Sequence, residues 1–335
     1  MAQRPDALKF LGLNWFAIVM GLAGLSLAWG RATPLLGDLA EAGAGLLAAL
    51  AALVFIVLLV LAWVRWQRYP EALATELKHP VRHAFVATIP VSMILLATCG
   101  VSLMGTNAWL AVLWWAGSLA QFGVTLWLLV RWLSPDKAMA LSWPALTPAL
   151  LIPVVGNVLA PLAGGSLGAG AWAAAQFGIG LLLWPVLLAL IFARMAAQGL
   201  WQERLLGITF ICIAPPAVVG SATLQMGGPV VLAWMCWGMA LLFLVWALQL
   251  GRRMLALPFS MALWSLGFPL AAFATLTLRL AAHHPAAQAP AMMALALASL
   301  VMAALISATW KNWRAGKLLE PEPVAMISSV GEGRS

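Results

Sequence analysis

The spacing of charges is the feature that most constrains this chain, because it leaves seven long runs without Asp, Glu, Lys or Arg. The run from Met254 to Leu278, between Arg253 and Arg279, holds 25 residues. A helix needs about 20 apolar residues to cross the hydrocarbon core of a bilayer. Only 8% of the chain is charged, whereas a soluble domain carries about 25% charged residues. The sequence therefore predicts an all-α integral membrane protein.

Turn signals inside the runs give the number of spans. Four runs fit one helix each and three fit two, and each of these three has a turn signal near its middle, at Gly105-Thr106-Asn107, Gly164-Gly165-Ser166 and Gly227-Gly228-Pro229. Four single spans and three pairs make ten transmembrane helices. We expect one transmembrane domain over residues 1–315 and a polar, disordered cytoplasmic tail over residues 316–335.

Basic residues fix the orientation of these spans. With ten spans, 16 of the 18 Lys and Arg residues fall on the side that carries both termini, and Arg31 and Arg279 are the exceptions. The positive-inside rule makes that side cytoplasmic. This topology also accounts for the formal charge of +8, so we expect the lipid bilayer, and no nucleic acid, as a partner.

A basic cytoplasmic mouth is a further interpretation of four of these charges. Arg65, Arg68, Lys78 and Arg82 lie on the cytoplasmic side between the second and third spans. Clustered at a pore entrance, they would raise the local concentration of anions. Topology alone is the competing explanation, and it accounts for the same residues.

Proline recurs near the middle of the odd-numbered spans, at Pro90, Pro153, Pro215 and Pro269, and the first span carries Gly21 at a similar depth. A proline inside a helix removes one backbone hydrogen bond and clashes with the preceding turn, so these sites predict bends. The period predicts five helical hairpins around a central pore, with the odd helices inside. Membrane helices are also rich in Pro and Gly in general, which leaves ordinary packing kinks as the alternative.

Ionisable residues do not occur in the middle of any span. Coupled transporters place proton relays and ion sites there, so the sequence favours a passive path. Their absence also argues against an enzyme, because neither a catalytic triad nor paired carboxylates can form at depth. Since the three cysteines fit no metal motif, we expect neither a metal nor a cofactor. The mid-span bends disfavour a non-transporting membrane anchor.

Four segments resemble the TehA family of tellurite-resistance and C4-dicarboxylate transporter proteins, which is related to the slow-type anion channels of plants. They are HPVRHAFVATIPVSMILL (79–96), PALTPALLIPVVGNVLAPLAGG (144–165), IAPPAVVGSA (213–222) and WSLGFPLAA (264–272). The segments follow the family order, and the similarity covers about residues 8–315. One departure is Gly267, where relatives commonly carry a larger hydroxylated residue.

The resemblance implies a ten-helix fold of five hairpins around a pore, a homotrimer, and a pore gate at Phe268. It implies a passive channel or uniporter for small inorganic or organic anions in the bacterial inner (plasma) membrane. The alternative function is a coupled exporter of tellurite, sulfite or C4-dicarboxylates such as malate. The residues themselves do not name the anion.

Reporter fusions test the ten-span topology. Because short basic loops stay in the cytoplasm, fusions after Arg68, Lys137, Gln202 and Arg253 should read cytoplasmic in a phosphatase assay. Fusions after Gly105, Gly165, Gly228 and His284 should read periplasmic. One inverted reporter in the middle of the chain would contradict the ten-span count.

Overall fold

The computed structural model describes residues 7–136 and 140–319. Over these residues the chain is helical and contains no strand. Most of the predicted tail lies outside the described residues.

Nine helices in this part of the chain are long and apolar enough to cross a membrane, and one shorter apolar helix brings the number to ten. We number them in chain order as helix 1 (Leu13–Arg31), helix 2 (Asp38–Arg68), helix 3 (Arg82–Met104), helix 4 (Ala108–Trp132), helix 5 (Pro148–Gly164, the shorter one), helix 6 (Gly170–Gln198), helix 7 (Glu203–Gln225), helix 8 (Val230–Gln249), helix 9 (Met261–Ala281) and helix 10 (Pro285–Arg314). The prediction of an all-α membrane protein with ten spans is confirmed.

Consecutive helices pair as five hairpins, and the odd helices close a ring. Helix 1 contacts helix 3, helix 3 contacts helix 5, helix 5 contacts helix 7, helix 7 contacts helix 9, and helix 9 returns to helix 1. The predicted turns lie between the helices of their hairpins. Gly105 and Gly227 have φ values of +75° and +76°, a left-handed conformation that glycine adopts without strain.

Burial separates the inner ring from the outer helices. In helices 1, 3, 7 and 9, between 67% and 100% of the most apolar window is buried, against 22–33% in the even-numbered helices. Every residue of helix 5 except Leu162 is buried. The outer helices therefore present their apolar side chains away from the ring, as helices facing lipid do.

Each inner helix changes from a 3₁₀ to an α conformation part-way along its length. The changes fall at Phe16/Ala17, Ala87/Thr88, Leu151/Ile152, Ile213/Ala214 and Leu266/Gly267. The 3₁₀ part of helix 7 runs for 11 residues, although 3₁₀ runs longer than about four residues are uncommon. The five inner helices thus share a junction of two helix types.

The predicted bend prolines lie at these junctions. Pro153 and Pro215 are the second residues of their α segments, and Pro90 and Pro269 are the third. The first turn of an α-helix has N–H groups without intrahelical partners, so a proline there sacrifices no hydrogen bond of the α segment. The sites mark a change of helix type, and a bend at each stays a prediction. Gly21 lies four residues beyond the junction of helix 1.

A short connecting helix, Pro70–Lys78, carries a buried carboxylate to the start of helix 1. Glu76 is 2% exposed and accepts hydrogen bonds from the Leu13 backbone N–H and from Arg65 Nη1, both at 2.7 Å. Arg82 Nη2 lies 3.7 Å from the same carboxylate. Arg65, itself 4% exposed, also donates to the Lys9 carbonyl. Glu76 therefore joins helices 1, 2 and 3 at one end of the ring.

Replacing Glu76 by alanine should lower the melting temperature of the purified protein. Removing one partner of a buried ion pair costs about 3–5 kcal/mol, because the other charge stays buried without compensation. The exposed pair Arg253–Glu203 supplies the matched control, and Glu203→Ala should cost about 1 kcal/mol or less. Equal melting temperatures for the two variants would contradict the structural role of Glu76.

Candidate functional site

Three cavities lie between the inner helices. The middle one, of about 30 Å³, is lined by residues of all five inner helices: Ala17, Met20, Phe85, Thr88, Ile152, Val155, Ile211, Ala214, Trp264, Ser265, Phe268 and Pro269. Since every inner helix contributes to it, the middle cavity marks the axis of the ring.

The lining of the middle cavity repeats a spacing of three residues at or directly after the 3₁₀/α junctions. Each inner helix contributes one such pair: Ala17 and Met20, Phe85 and Thr88, Ile152 and Val155, Ile211 and Ala214, Ser265 and Phe268. Residues three apart share one face of a helix. The junctions therefore turn one face of each inner helix toward the axis at a common level. No charged side chain is among these lining residues.

Phe268 lies between this cavity and helix 1. The side chain is 5% exposed, and one edge of its ring fits over Gly24, where an added Cβ would lie 2.9 Å from Phe268 Cδ2. That distance is shorter than a real carbon–carbon contact, so the absence of a side chain at Gly24 is what admits the ring. The structure thus places Phe268, the predicted gate residue, in the lining of the middle cavity, with its ring packed against Gly24.

Helices 1 and 9 also approach each other closely one turn before the contact between Gly24 and Phe268. A Cβ on Gly267 would lie 3.3 Å from the Gly21 Cα and 3.2 Å from Met302 Cε. Gly21, predicted as a bend, is therefore a packing position against helix 9. Gly267, the departure from the family pattern, fits the same close contact. Of the predicted bend prolines, only Pro269 is among the residues that line the middle cavity.

A second cavity, also of about 30 Å³, lies at the end of the axis where Glu76 is located, and we call it the inner cavity. It is lined by Asn14, Glu76, Val81, Arg82, Phe85, Leu205, Ile208 and Ala262. Phe85 lines both this cavity and the middle one, so its ring stands between the two.

The four residues of the predicted basic mouth occupy different environments around this cavity. Arg82 lines it, whereas Arg65 is buried in its ion pair with Glu76. Arg68 and Lys78 are exposed and are not among the lining residues. The structure therefore brings one of the four to the cavity, beside a carboxylate that the sequence interpretation did not include.

The outer cavity lies at the opposite end of the axis and is the largest of the three, at about 120 Å³. It is lined by Leu27, Arg31, Thr98, Val101, Ser102, Leu162, Ser166, Gln225, Thr275 and Arg279. All five inner helices contribute residues to this cavity, as they do to the middle cavity. Arg31 and Arg279, the two exceptions to the positive-inside count, therefore converge on one space.

Three features of the site were missed by sequence reasoning. The partnership of Gly24 with Phe268 had a signal, because Gly24 follows Gly21 by three residues on the same helix face. The position of Arg31 opposite Arg279 could have been inferred from the ring, since both residues end inner helices on the same side. Burial of Glu76 under Arg65 had no local signal, because it depends on how the connecting helix folds back.

A closed ring of buried helices, surrounded by lipid-facing helices and enclosing cavities along its axis, defines a multi-pass membrane protein of the channel or transporter class. The chain belongs to the SLAC1 family, described as voltage-dependent anion channels, whose family model matches residues 11–310. This match confirms the relationship predicted from the four motifs.

Two relatives from Methanocaldococcus jannaschii support the assignment to transport proteins. Uncharacterized transporter MJ0762 is 27% identical over 290 residues, covering 79% of this chain and 83% of the relative. Uncharacterized transporter MJ0576 is 26% identical over 297 residues, covering 81% of this chain and 84% of the relative. The family and these relatives are transport proteins, not enzymes.

A methyl group at Gly24 should push the Phe268 ring toward the axis. Since the added Cβ would lie 2.9 Å from the ring, we expect Gly24→Ala to lower anion flux in liposomes, normalised to folded protein. Gly123→Ala on helix 4 is the matched control, because nothing lies within 4 Å of its added Cβ. Unchanged flux in Gly24→Ala, with the fold retained, would show that the ring position does not control the path.

Proposed function

We propose that this protein is a passive anion channel or uniporter that moves small anions along the axis of the ring, with Phe268 as the gate. The observation that carries the proposal is the middle cavity, which all five inner helices line without a charged side chain. Family membership supplies the ion class, since the family is described as anion channels.

Selection along such an axis depends on weak interactions. Fixed charges would hold an anion too tightly for rapid release, whereas conduction requires binding that is easily reversed. Phenyl ring edges carry partial positive charge and can face an anion without strong binding. Phe85 and Phe268 both line the middle cavity and can supply such edges.

The size of the middle cavity supports a closed gate. A cavity needs roughly 10–15 Å³ to hold one water molecule, so about 30 Å³ accommodates only two or three waters. An anion with its hydration shell does not fit. Because the Phe268 ring contributes to this lining and rests against Gly24, its movement or removal would widen the path.

The membrane context belongs to the same proposal. We place the protein in the bacterial inner membrane, following the family resemblance, with both termini in the cytoplasm, as the basic-residue distribution indicates. The Glu76 end of the axis is then cytoplasmic, and the Arg31 and Arg279 end is periplasmic. We also propose a homotrimer, following the family resemblance; crosslinking in native membranes tests it.

Phe268→Ala should raise anion flux above the parent, with the fold retained, because it removes the ring from the lining of the middle cavity. Phe268→Leu should give an intermediate flux, since it keeps bulk without the ring. The measurement is liposome flux of chloride and nitrate, normalised to purified protein, beside a thermal melt.

Phe273→Ala is the matched control for this experiment. Phe273 lies on the same helix, is 6% exposed and stacks on Trp237, and it lines none of the three cavities. Its truncation should cost about 3–5 kcal/mol of stability, as core Phe-to-Ala changes do, without extra flux. If Phe268→Ala behaves like Phe273→Ala, Phe268 is a core residue and the gate is wrong. Parent flux that requires a proton gradient would favour the coupled exporter.

A further inference from the structure

The outer cavity combines two cations without a carboxylate. In the described ranges, the three ion pairs join Arg65 and Arg82 to Glu76 and Arg253 to Glu203, so neither Arg31 nor Arg279 has an acidic partner within 4 Å. A charge removed from water is costly unless it is paired or hydrogen-bonded. No carboxylate is among the described residues that line this cavity.

Arg279 is positioned by neighbours that leave most of its donors unused. Its Nη2 donates to Gln225 Oε1 at 2.6 Å and its Nη1 to the Ser221 carbonyl at 3.2 Å. An arginine has five N–H donors, so three remain, including the Nε–H, which is buried without a partner. The amide of Gln225, whose oxygen accepts from Arg279, presents its own N–H donors beside them.

Arg31 has the opposite character, since none of its five donors is used. It ends helix 1, is exposed, and makes no hydrogen bond or ion pair within the described residues. The helix dipole favours a cation at this position, and the same holds for Arg279 near the end of helix 9. The dipole explains the placement of both charges, but it provides no acceptors for their N–H groups.

We propose that the outer cavity is a binding site for a small oxyanion or carboxylate, held between Arg279 and Arg31. A planar guanidinium donates two parallel hydrogen bonds to two oxygens of such a group, whereas a monatomic anion offers a single acceptor atom. Ser102 lines the same cavity and offers a hydroxyl group, whereas Thr98 and Thr275 donate their hydroxyl hydrogens to the Ile94 and Ala271 carbonyls. The site deepens the proposed function, because the anion it holds is one that the axis would carry.

The test measures sulfate binding to the full chain in detergent by titration calorimetry, with chloride as the monatomic comparison. The parent should bind sulfate saturably and more tightly than chloride. Arg31→Gln should weaken sulfate binding about tenfold, the effect of losing a charged hydrogen bond. The Arg31 side chain makes no hydrogen bond or ion pair within the described residues, so this variant should fold normally. Arg252→Gln, at an exposed arginine outside the cavities, should bind sulfate like the parent.

Arg279→Lys is the second variant, and it separates charge from geometry. It keeps the positive charge but loses the planar fork, so sulfate binding should weaken while chloride binding changes less. Sulfate binding that is absent in the parent, or unchanged in both Arg31→Gln and Arg279→Lys, would overturn the site.

Binding is measured without transport, which keeps this result apart from that of the gate. Increased flux in Phe268→Ala with unchanged sulfate binding in Arg31→Gln would support the channel and reject the outer site. Sulfate binding that is lost in Arg31→Gln, without flux through any variant, would support the site and reject the channel.

Discussion

A backbone hydrogen-bonding group left without a partner inside a lipid bilayer costs several kcal/mol, and this cost limits how a membrane helix can change direction or type. In the inner ring, the change from 3₁₀ to α conformation lies next to the prolines. The first turn of an α segment has N–H groups without partners inside that segment, so a proline there removes none of its hydrogen bonds. Pro90, Pro153, Pro215 and Pro269 all lie in that first turn. The junctions at one level then turn uncharged residues of all five inner helices toward the axis.

Glycine residues on helices 1 and 9 determine how closely these two helices of the inner ring can pack. Gly21 and Gly267 bring helices 1 and 9 almost to backbone contact, and one turn later Gly24 receives the Phe268 ring. The closure of the ring of inner helices and the position of the Phe268 side chain therefore both depend on the face of helix 1 that carries Gly21 and Gly24. A methyl group at Gly21 would first meet Met302 Cε, whereas one at Gly24 would meet both the Phe268 ring and the Ala271 Cβ.

The sequence was sufficient for the architecture because hydrophobic length, turn residues and proline spacing are local properties. They predicted the hairpins and the inner position of the odd helices. Pairing of charges is not local. Glu76 reaches Arg65 through the fold of the connecting helix, and Arg31 meets the cavity of Arg279 only because the ring closes. Counting basic residues by loop could assign their side of the membrane but not their partners.

The unequal ends of the axis have an electrical consequence. At the inner cavity Glu76 faces both Arg82, which lines the cavity, and the buried Arg65, so these three groups carry one net positive charge. At the outer cavity the positive charges of Arg31 and Arg279 add to each other. The field of a fixed charge extends over about 10 Å at 0.1 M salt. The groups at the two cavities therefore present an anion with two net positive charges at the outer entrance and one at the inner entrance. A conducting axis of this form would rectify, passing unequal currents at equal and opposite voltages, and the inequality would shrink as ionic strength rises.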